Sequence, residues 1–159
     1  MICENVEHVR EIINAHHSGA KIWTTSGGFD PMHVGHLRCI RETANMATKE
    51  GGITVVIVNG DGFLNRKKGY AFMPLDERME IINGVKGVDY VVPWDDGSQT
   101  VVGAIEELRP NYFTKGGDRD SSGNVPEFDL CEKIGCYVIF GVGGGKIQSS
   151  SELVSRVRK

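Results

Sequence analysis

Two histidines three residues apart, set just behind a glycine loop, are the densest chemistry in this chain. They stand in Ser26-Gly27-Gly28-Phe29-Asp30-Pro31-Met32-His33-Val34-Gly35-His36, between an apolar run and a helical pattern. That spacing puts both imidazoles on one face of a first helical turn. A helix N-terminus adds free N–H groups and about half a positive charge. Imidazoles beside such an end make a donor cluster suited to phosphate oxygens. Gly35 lies between them, where a missing side chain lets a ligand approach the backbone. The chain has no G-x-x-x-x-G-K-[ST] phosphate loop, and no G-x-G-x-x-G fingerprint follows its first apolar run. Zinc is the chemical rival, since His-x-x-His supplies two ligands, but no third is evident.

Other charged and hydroxyl-bearing residues cluster after apolar runs. These are Asp61, the basic run Arg66-Lys67-Lys68, the pair Glu77-Arg78, the stretch Lys115-Gly116-Gly117-Asp118-Arg119, and Ser149-Ser150-Ser151. Each has a structural reading. Arg66 to Lys68 suits a solvated turn. Ser149 and Glu152 make a capping box. Asp118 and Arg119 can pair with each other, Asp30 can hold its own loop by hydrogen bonds, and Arg78 can sit exposed on a helix. His8, His16 and His17 read as surface residues.

The elements that must position these groups follow from the pattern. Asn5 caps a helix with Val6, Val9, Ile12 and Ile13 on one face, stopped by Gly19. Strands are expected at 21–25, 53–58, 90–92, 112–114 and 136–140. Ile53 to Val58, a continuous run rich in β-branched residues, suits a strand buried on both faces. Helices are expected at 34–49, after Pro74 with Asp76 and Glu77 in its first turn, after a Ser98 cap, and from Ser150 to the end. Strands alternating with helices predict an α/β fold, a Rossmann-like three-layer sandwich with a five-stranded parallel sheet. Glycine, at 21 residues in 159, is about twice the usual ~7%, and its clusters follow the strands. Ligands of such sheets sit outside the carboxyl ends of the strands, so separate segments converge on one crevice.

Composition bounds the rest. Apolar residues are 40% and charged residues 25%, which suits one soluble globular domain. Lysine plus arginine is 18 against 21 acids, a net charge of −3. That balance argues against a general nucleic-acid or anionic-membrane binder. No apolar run reaches the ~18 residues of a transmembrane helix, and no signal peptide is seen, so a cytoplasmic protein is expected. Cys3, Cys39, Cys131 and Cys136 lack C-x-x-C spacing and read as free thiols.

The segment from Gly28-Phe29-Asp30 to His33-Val34-Gly35-His36 resembles the GxFDxxHxGH signature of the cytidylyltransferase-like nucleotidylyltransferases. Glycerol-3-phosphate cytidylyltransferase and the adenylyltransferase that makes ADP-heptose are members of that superfamily. The resemblance covers about residues 21 to 157. Residues 1–20 stand outside it as an added N-terminal helix, and 21–159 form the single domain. Lys115-Gly116-Gly117-Asp118 is similar to the heptose group's K-G-G-D, and Ser149-Ser150-Ser151 to the family's terminal serine-threonine turn. The arginine of the choline-type ending is absent, and Lys146 is the candidate to replace its charge.

The resemblance implies an enzyme that moves a nucleoside monophosphate from a triphosphate onto the phosphate of a small metabolite. Pyrophosphate leaves by direct in-line displacement. CTP is slightly favoured over ATP; a sugar phosphate, a polyol phosphate or a phosphonate would fit as acceptor. On that reading His33, His36 and Lys68 are catalytic, with Lys67 as the substitute for Lys68. Gly27, Gly28, Phe29, Lys115, Gly117, Asp118, Arg119, Ser149, Ser150 and Ser151 bind the nucleotide. Asp30, Asp61 and Arg78 bind the acceptor. Mg²⁺ serves as cofactor, held mostly by substrate and water, with no protein metal site. A homodimer is also implied. The alternatives are an ADP-heptose-type adenylyltransferase, a non-catalytic nucleotide-binding module, and a hydrolase with His33 and His36 as metal ligands.

Overall fold

Five strands form one sheet in a computed structural model that describes residues 1–117, 125–145 and 148–157. They are β1 (Ile22–Gly27), β2 (Ile53–Asn59), β3 (Tyr90–Trp94), β4 (Tyr112–Thr114) and β5 (Tyr137–Ile139). Their order is β3-β2-β1-β4-β5, and every neighbouring pair is parallel. The helices are α1 (Val6–His16), α2 (Val34–Lys49), α3 (Asp61–Lys68), α4 (Leu75–Asn83), α5 (Val102–Leu108), α6 (Phe128–Ile134) and α7 (Ser150–Ser155). The expected parallel α/β sandwich is therefore present.

β2 is buried along its whole length, as its aliphatic run requires. Its side chains alternate between two apolar layers. Val56 and Val58 join Ile40 of α2 and Ile82 of α4 on one face. Val55 and Ile57 join Val6, Val9, Ile105, Leu108 and Phe113 on the other, where α1, α5 and α6 pack. Residues 1–20 share that second layer. The Cys3 N–H donates to Val91 O at 2.8 Å, the Val91 N–H to Met1 O at 2.9 Å, and Val6, Val9 and Ile13 of α1 are buried.

The strand order switches sides between β1 and β4, because β1 leads to β2 on one side while β4 lies on the other, all strands running parallel. α2 starts above that gap. A hydroxyl ladder fixes it there. The Thr43 and Thr114 hydroxyls lie 2.7 Å apart, and the Thr25 hydroxyl donates to Thr114 O at 3.1 Å. Each partner is buried, so each bond is well protected from water.

Three sequence expectations change. Arg66-Lys67-Lys68 is not a loop but the last turn of α3, closed by Gly69 at φ 86°. Only Phe63 and Leu64 of α3 are buried, too few for a periodic signal. Asp61 in its first turn and three cations in its last match the helix dipole instead. Ser98 does not cap α5, whose N-cap is Val101; its N–H and hydroxyl both donate to Asp96, in a turn ahead of the helix. His17 is half-buried, with Nε2 2.7 Å from the Tyr90 hydroxyl. All four cysteines are free thiols. Among the described residues no helix is long and apolar enough to cross a membrane.

Candidate active site

His33 and His36 cap the helix on which they sit. His33 is the N-cap of α2, and its Nδ1 accepts the Gly35 N–H at 3.1 Å. His36 reaches back, and its Nδ1 accepts the His33 N–H at 3.2 Å. The pair thus forms a capping box built from imidazoles. With Nδ1 accepting on both rings, the proton of each neutral imidazole sits on Nε2. The rings stack with centroids 3.7 Å apart and planes 20° from parallel. Burial, then the charges of His33 and Lys68, lower the His36 pKa to about 3, and burial lowers that of His33. Both are neutral N–H donors at pH 7 in the ligand-free protein.

Gly35 has a sharper reason than ligand approach. A Cβ there would lie 2.9 Å from His33 Cε1. Glycine leaves room for the imidazole to fold over its own helix end. The stacked geometry also bears on zinc. A metal binds in the plane of each imidazole, and two nearly parallel rings with centroids 3.7 Å apart converge on no shared ion. Among the described residues no group of three His, Cys, Asp or Glu is placed to hold a metal.

Below the histidines lies a network around Asp30 and Arg78. The Asp30 side chain is fully buried and accepts the Phe72 and Met73 N–H groups, each at 2.6 Å. Lys68 Nζ donates to Asp30 O at 2.9 Å and lies 3.4 Å from its carboxylate. Asp30 therefore ties the 70s loop and Lys68 to the end of β1. Arg78 is completely buried. It donates to Met73 O at 2.9 Å, Gly28 O at 2.8 Å, Asn59 O at 2.6 Å and Asp61 Oδ1 at 2.6 Å. Of the residues expected to touch an acceptor, Asp30 and Arg78 are both buried with their polar atoms on protein partners, Asp30 in the crevice lining and Arg78 outside it. Asp61 spends one oxygen on Arg78, but its side chain stays 44% exposed. Arg66 turns away to pair with Asp95, while Lys67 and Lys68 line the crevice.

Phe29 links the two halves. It is buried at φ 53°, a backbone region that costs a side-chain-bearing residue roughly 1–2 kcal/mol. That turn sets its ring edge-on to His36, centroids 5.2 Å apart.

The β4 and β5 loops close the other side. Lys115, Gly116 and Gly117 follow β4, and Gly143 to Gly145 follow β5. Gly143, at φ 87°, passes so close to α2 that a Cβ would lie 2.6 Å from Cys39 N. Its N–H donates to the Glu42 carboxylate. Ser149 caps α7 by accepting the Glu152 N–H at 3.4 Å, and the Ser150 hydroxyl donates to Pro31 O at 2.6 Å. Asp118, Arg119 and Lys146 lie outside the described residues.

The structure thus brings Gly27, Gly28, Phe29, Asp30, His33, His36, Lys68, Lys115, Gly117 and Ser149 to Ser151 to one crevice of about 380 Å³. That size suits a small-molecule ligand. Asp61 and Arg78 are not among the residues that line it. Sequence reading missed Asn59, which lines the crevice from the end of β2. A polar residue closing a wholly apolar strand was the available signal.

The chain is 29% identical over 157 residues to the bifunctional protein HldE of Azotobacter vinelandii, covering 93% of this chain and 30% of that one. It is 32% identical over 146 residues to HldE of Hahella chejuensis, covering 91% and 27%. The chain spans under a third of the length of these relatives. Among solved structures, the lipopolysaccharide core biosynthesis protein from Thermoplasma volcanium GSS1 shares the fold, with a TM-score of 0.60 and 23% identity. That likeness covers 82% of this chain and 98% of the other. The family model described as cytidylyltransferase-like matches residues 24–133, from within β1 to α6 and through the histidine pair, and the chain belongs to that family.

Proposed function

We propose that this chain transfers a nucleoside monophosphate from a nucleoside triphosphate to a phosphorylated small metabolite, releasing pyrophosphate. The observation that carries the reading is the stacked His33–His36 pair at the start of α2. Two neutral Nε2–H donors sit over the gap between β1 and β4, with Lys68 among the groups acting on His36. An oxygen of the acceptor phosphate attacks the α-phosphorus. The bond from that phosphorus to the bridging oxygen of the leaving pyrophosphate breaks. No covalent enzyme intermediate is needed, so positioning and charge stabilisation supply the catalysis. Nε2–H groups and free N–H groups of α2 donate to phosphate oxygens as charge builds on them. Lys68, held by Asp30, adds a fixed positive charge. Lys115 and the glycine loops after β4 and β5 form the nucleotide side.

In this reading the triphosphate would carry a Mg²⁺ ion. The crevice presents imidazole and ammonium groups, and its buried carboxylate, Asp30, already accepts two backbone N–H groups. Phosphate oxygens and water would hold the ion, whose charge would screen that of the triphosphate. The resemblance to the ADP-heptose-forming group, with the alignments to HldE, weighs for ATP against the small preference for CTP drawn from sequence. Free thiols fit a reducing cytoplasm. A homodimer belongs to the same reading; light scattering at micromolar concentration should give twice the 17.4 kDa chain mass, and the monomer mass alone would remove it.

Thermal unfolding with ATP, CTP, GTP and UTP in turn, each with Mg²⁺, tests the reading without knowledge of the acceptor. The accepted nucleotide at a hundred times its Kd should add about 2.7 kcal/mol of stability. Acceptors are then screened by pyrophosphate release with that nucleotide. No protection by any of the four, and no pyrophosphate release from any sugar or polyol phosphate, would sink the transferase reading.

A further inference from the structure

One buried polar atom of the crevice has no partner. Asn59 ends β2 and is only 6% exposed, and its side-chain Oδ1 has no hydrogen bond among the described residues. Four other buried side-chain atoms share that condition, on His8, Thr54, Trp94 and Glu127, but none of those residues lines the crevice. The Asn59 backbone is pinned, since Arg78 donates to its carbonyl at 2.6 Å from the same nitrogen that binds Gly28 O. A buried acceptor left unmatched costs free energy, and the fold keeps it in the lining of a binding crevice.

The chemistry of the missing partner follows. An amide oxygen needs a donor. Fully ionised phosphate groups offer only acceptors, so the charged phosphates expected in this crevice do not satisfy it. A hydroxyl beside the phosphate can. We infer that Asn59 reads a substrate hydroxyl next to the transferred or attacked phosphate. β2 lies across β1 from the β4 and β5 loops that form the proposed nucleotide side. That placement favours the acceptor over the nucleotide ribose. The inference rests on the transferase reading and narrows it: the acceptor is a sugar or polyol phosphate, not a phosphonate without hydroxyls. Asn59 is thus a recognition residue for the substrate and takes no part in bond making.

Three proteins test it: the wild type, Asn59→Leu, which keeps the shape and removes the acceptor, and Asn59→Asp, which keeps an acceptor oxygen. Unfolding midpoints are measured alone, with inorganic phosphate, with glycerol 3-phosphate, with glucose 1-phosphate, and with ribo- and 3′-deoxy-ATP. In the wild type at least one probe should bind on the order of tenfold more tightly than its counterpart lacking that alcohol hydroxyl. Asn59→Leu should erase that preference, and Asn59→Asp should keep it. A lost preference between the two ATP forms assigns the hydroxyl to ribose; one between the sugar or glycerol phosphates and inorganic phosphate assigns it to the acceptor. Without ligand the leucine variant should unfold at the same temperature or a few degrees higher, because an unmatched polar atom is gone. An unchanged preference in Asn59→Leu would overturn the inference. So would no preference in the wild type, or a ligand-free midpoint that drops by more than about 5 °C, which would make the amide structural. Nucleotide protection and pyrophosphate release that survive those results would leave the transferase reading standing.

Discussion

Alanine at His36 is expected to lower turnover by about 10²–10³-fold while changing nucleotide affinity only a few-fold. The reason lies in what the ring does before and during the reaction. In the ligand-free protein its Nδ1 is spent on the His33 N–H, so Nε2–H is the group free to meet a phosphate. Donation to charge that builds in the transition state affects kcat more than ground-state binding. The stacked partner makes the loss cooperative. Without His36, the His33 ring has no face to pack on and its backbone N–H loses its acceptor. Pyrophosphate release under saturating substrate measures the effect. Turnover within threefold of wild type would remove His36 from the chemistry.

A pH series separates this role from a purely structural one. The folded His36 pKa is depressed to about 3, against 6.5 for the free side chain. The unfolded chain therefore binds the extra proton between those values, and stability contributed by the neutral ring falls as pH drops from about 6.5 toward 3. His33 shifts in the same direction. A bound triphosphate favours the imidazolium and opposes the trend, so nucleotide protection should grow as pH falls from 7 to 5.5 in the wild type. His36→Ala should flatten that growth.

The sheet was legible because apolar content, β-branching and glycine agree along the chain. Ile53 to Val58 can be little other than a buried strand, and β2 runs only one residue further. The α2 start at Val34 was equally plain, since glycine, proline and the histidines punctuate it. α3 was not, because two buried residues in a row carry no period. The site divides in the same way. Glycine loops after parallel strands must converge at the carboxyl edge, so the crevice follows from topology. Which face of a loop a charge takes does not. Asp30 and Asp61 are the same residue type at the ends of neighbouring strands. One lies buried under two backbone N–H groups, while the other stays half-exposed. Only three-dimensional packing separates them.

Arg78 is where that difference has its largest consequence. Sequence reading set it against an acceptor phosphate, yet its guanidinium is sealed from solvent and holds three carbonyls and one carboxylate. Those carbonyls belong to the ends of the paired strands β1 and β2 and to the 70s loop, which Asp30 also holds through the Phe72 and Met73 N–H groups. Guanidinium suits this task, since its planar fork offers five donors in fixed directions. Arg78→Met keeps the apolar stem and deletes every donor. It leaves three carbonyls and the Asp61 carboxylate without their partner, at an expected cost of about 3–5 kcal/mol. For a chain of this size that lowers the unfolding midpoint by roughly 10–15 °C. Arg78→Lys should recover only part, because one ammonium cannot span four acceptors set around a plane. Calorimetry on the three proteins decides the matter. A midpoint within about 2 °C of wild type in Arg78→Met, with a raised acceptor KM, would return Arg78 to the acceptor site. The large drop with the nucleotide preference unchanged would make it the strut on which the β1 and β2 ends, and through them the histidine pair, are held in register.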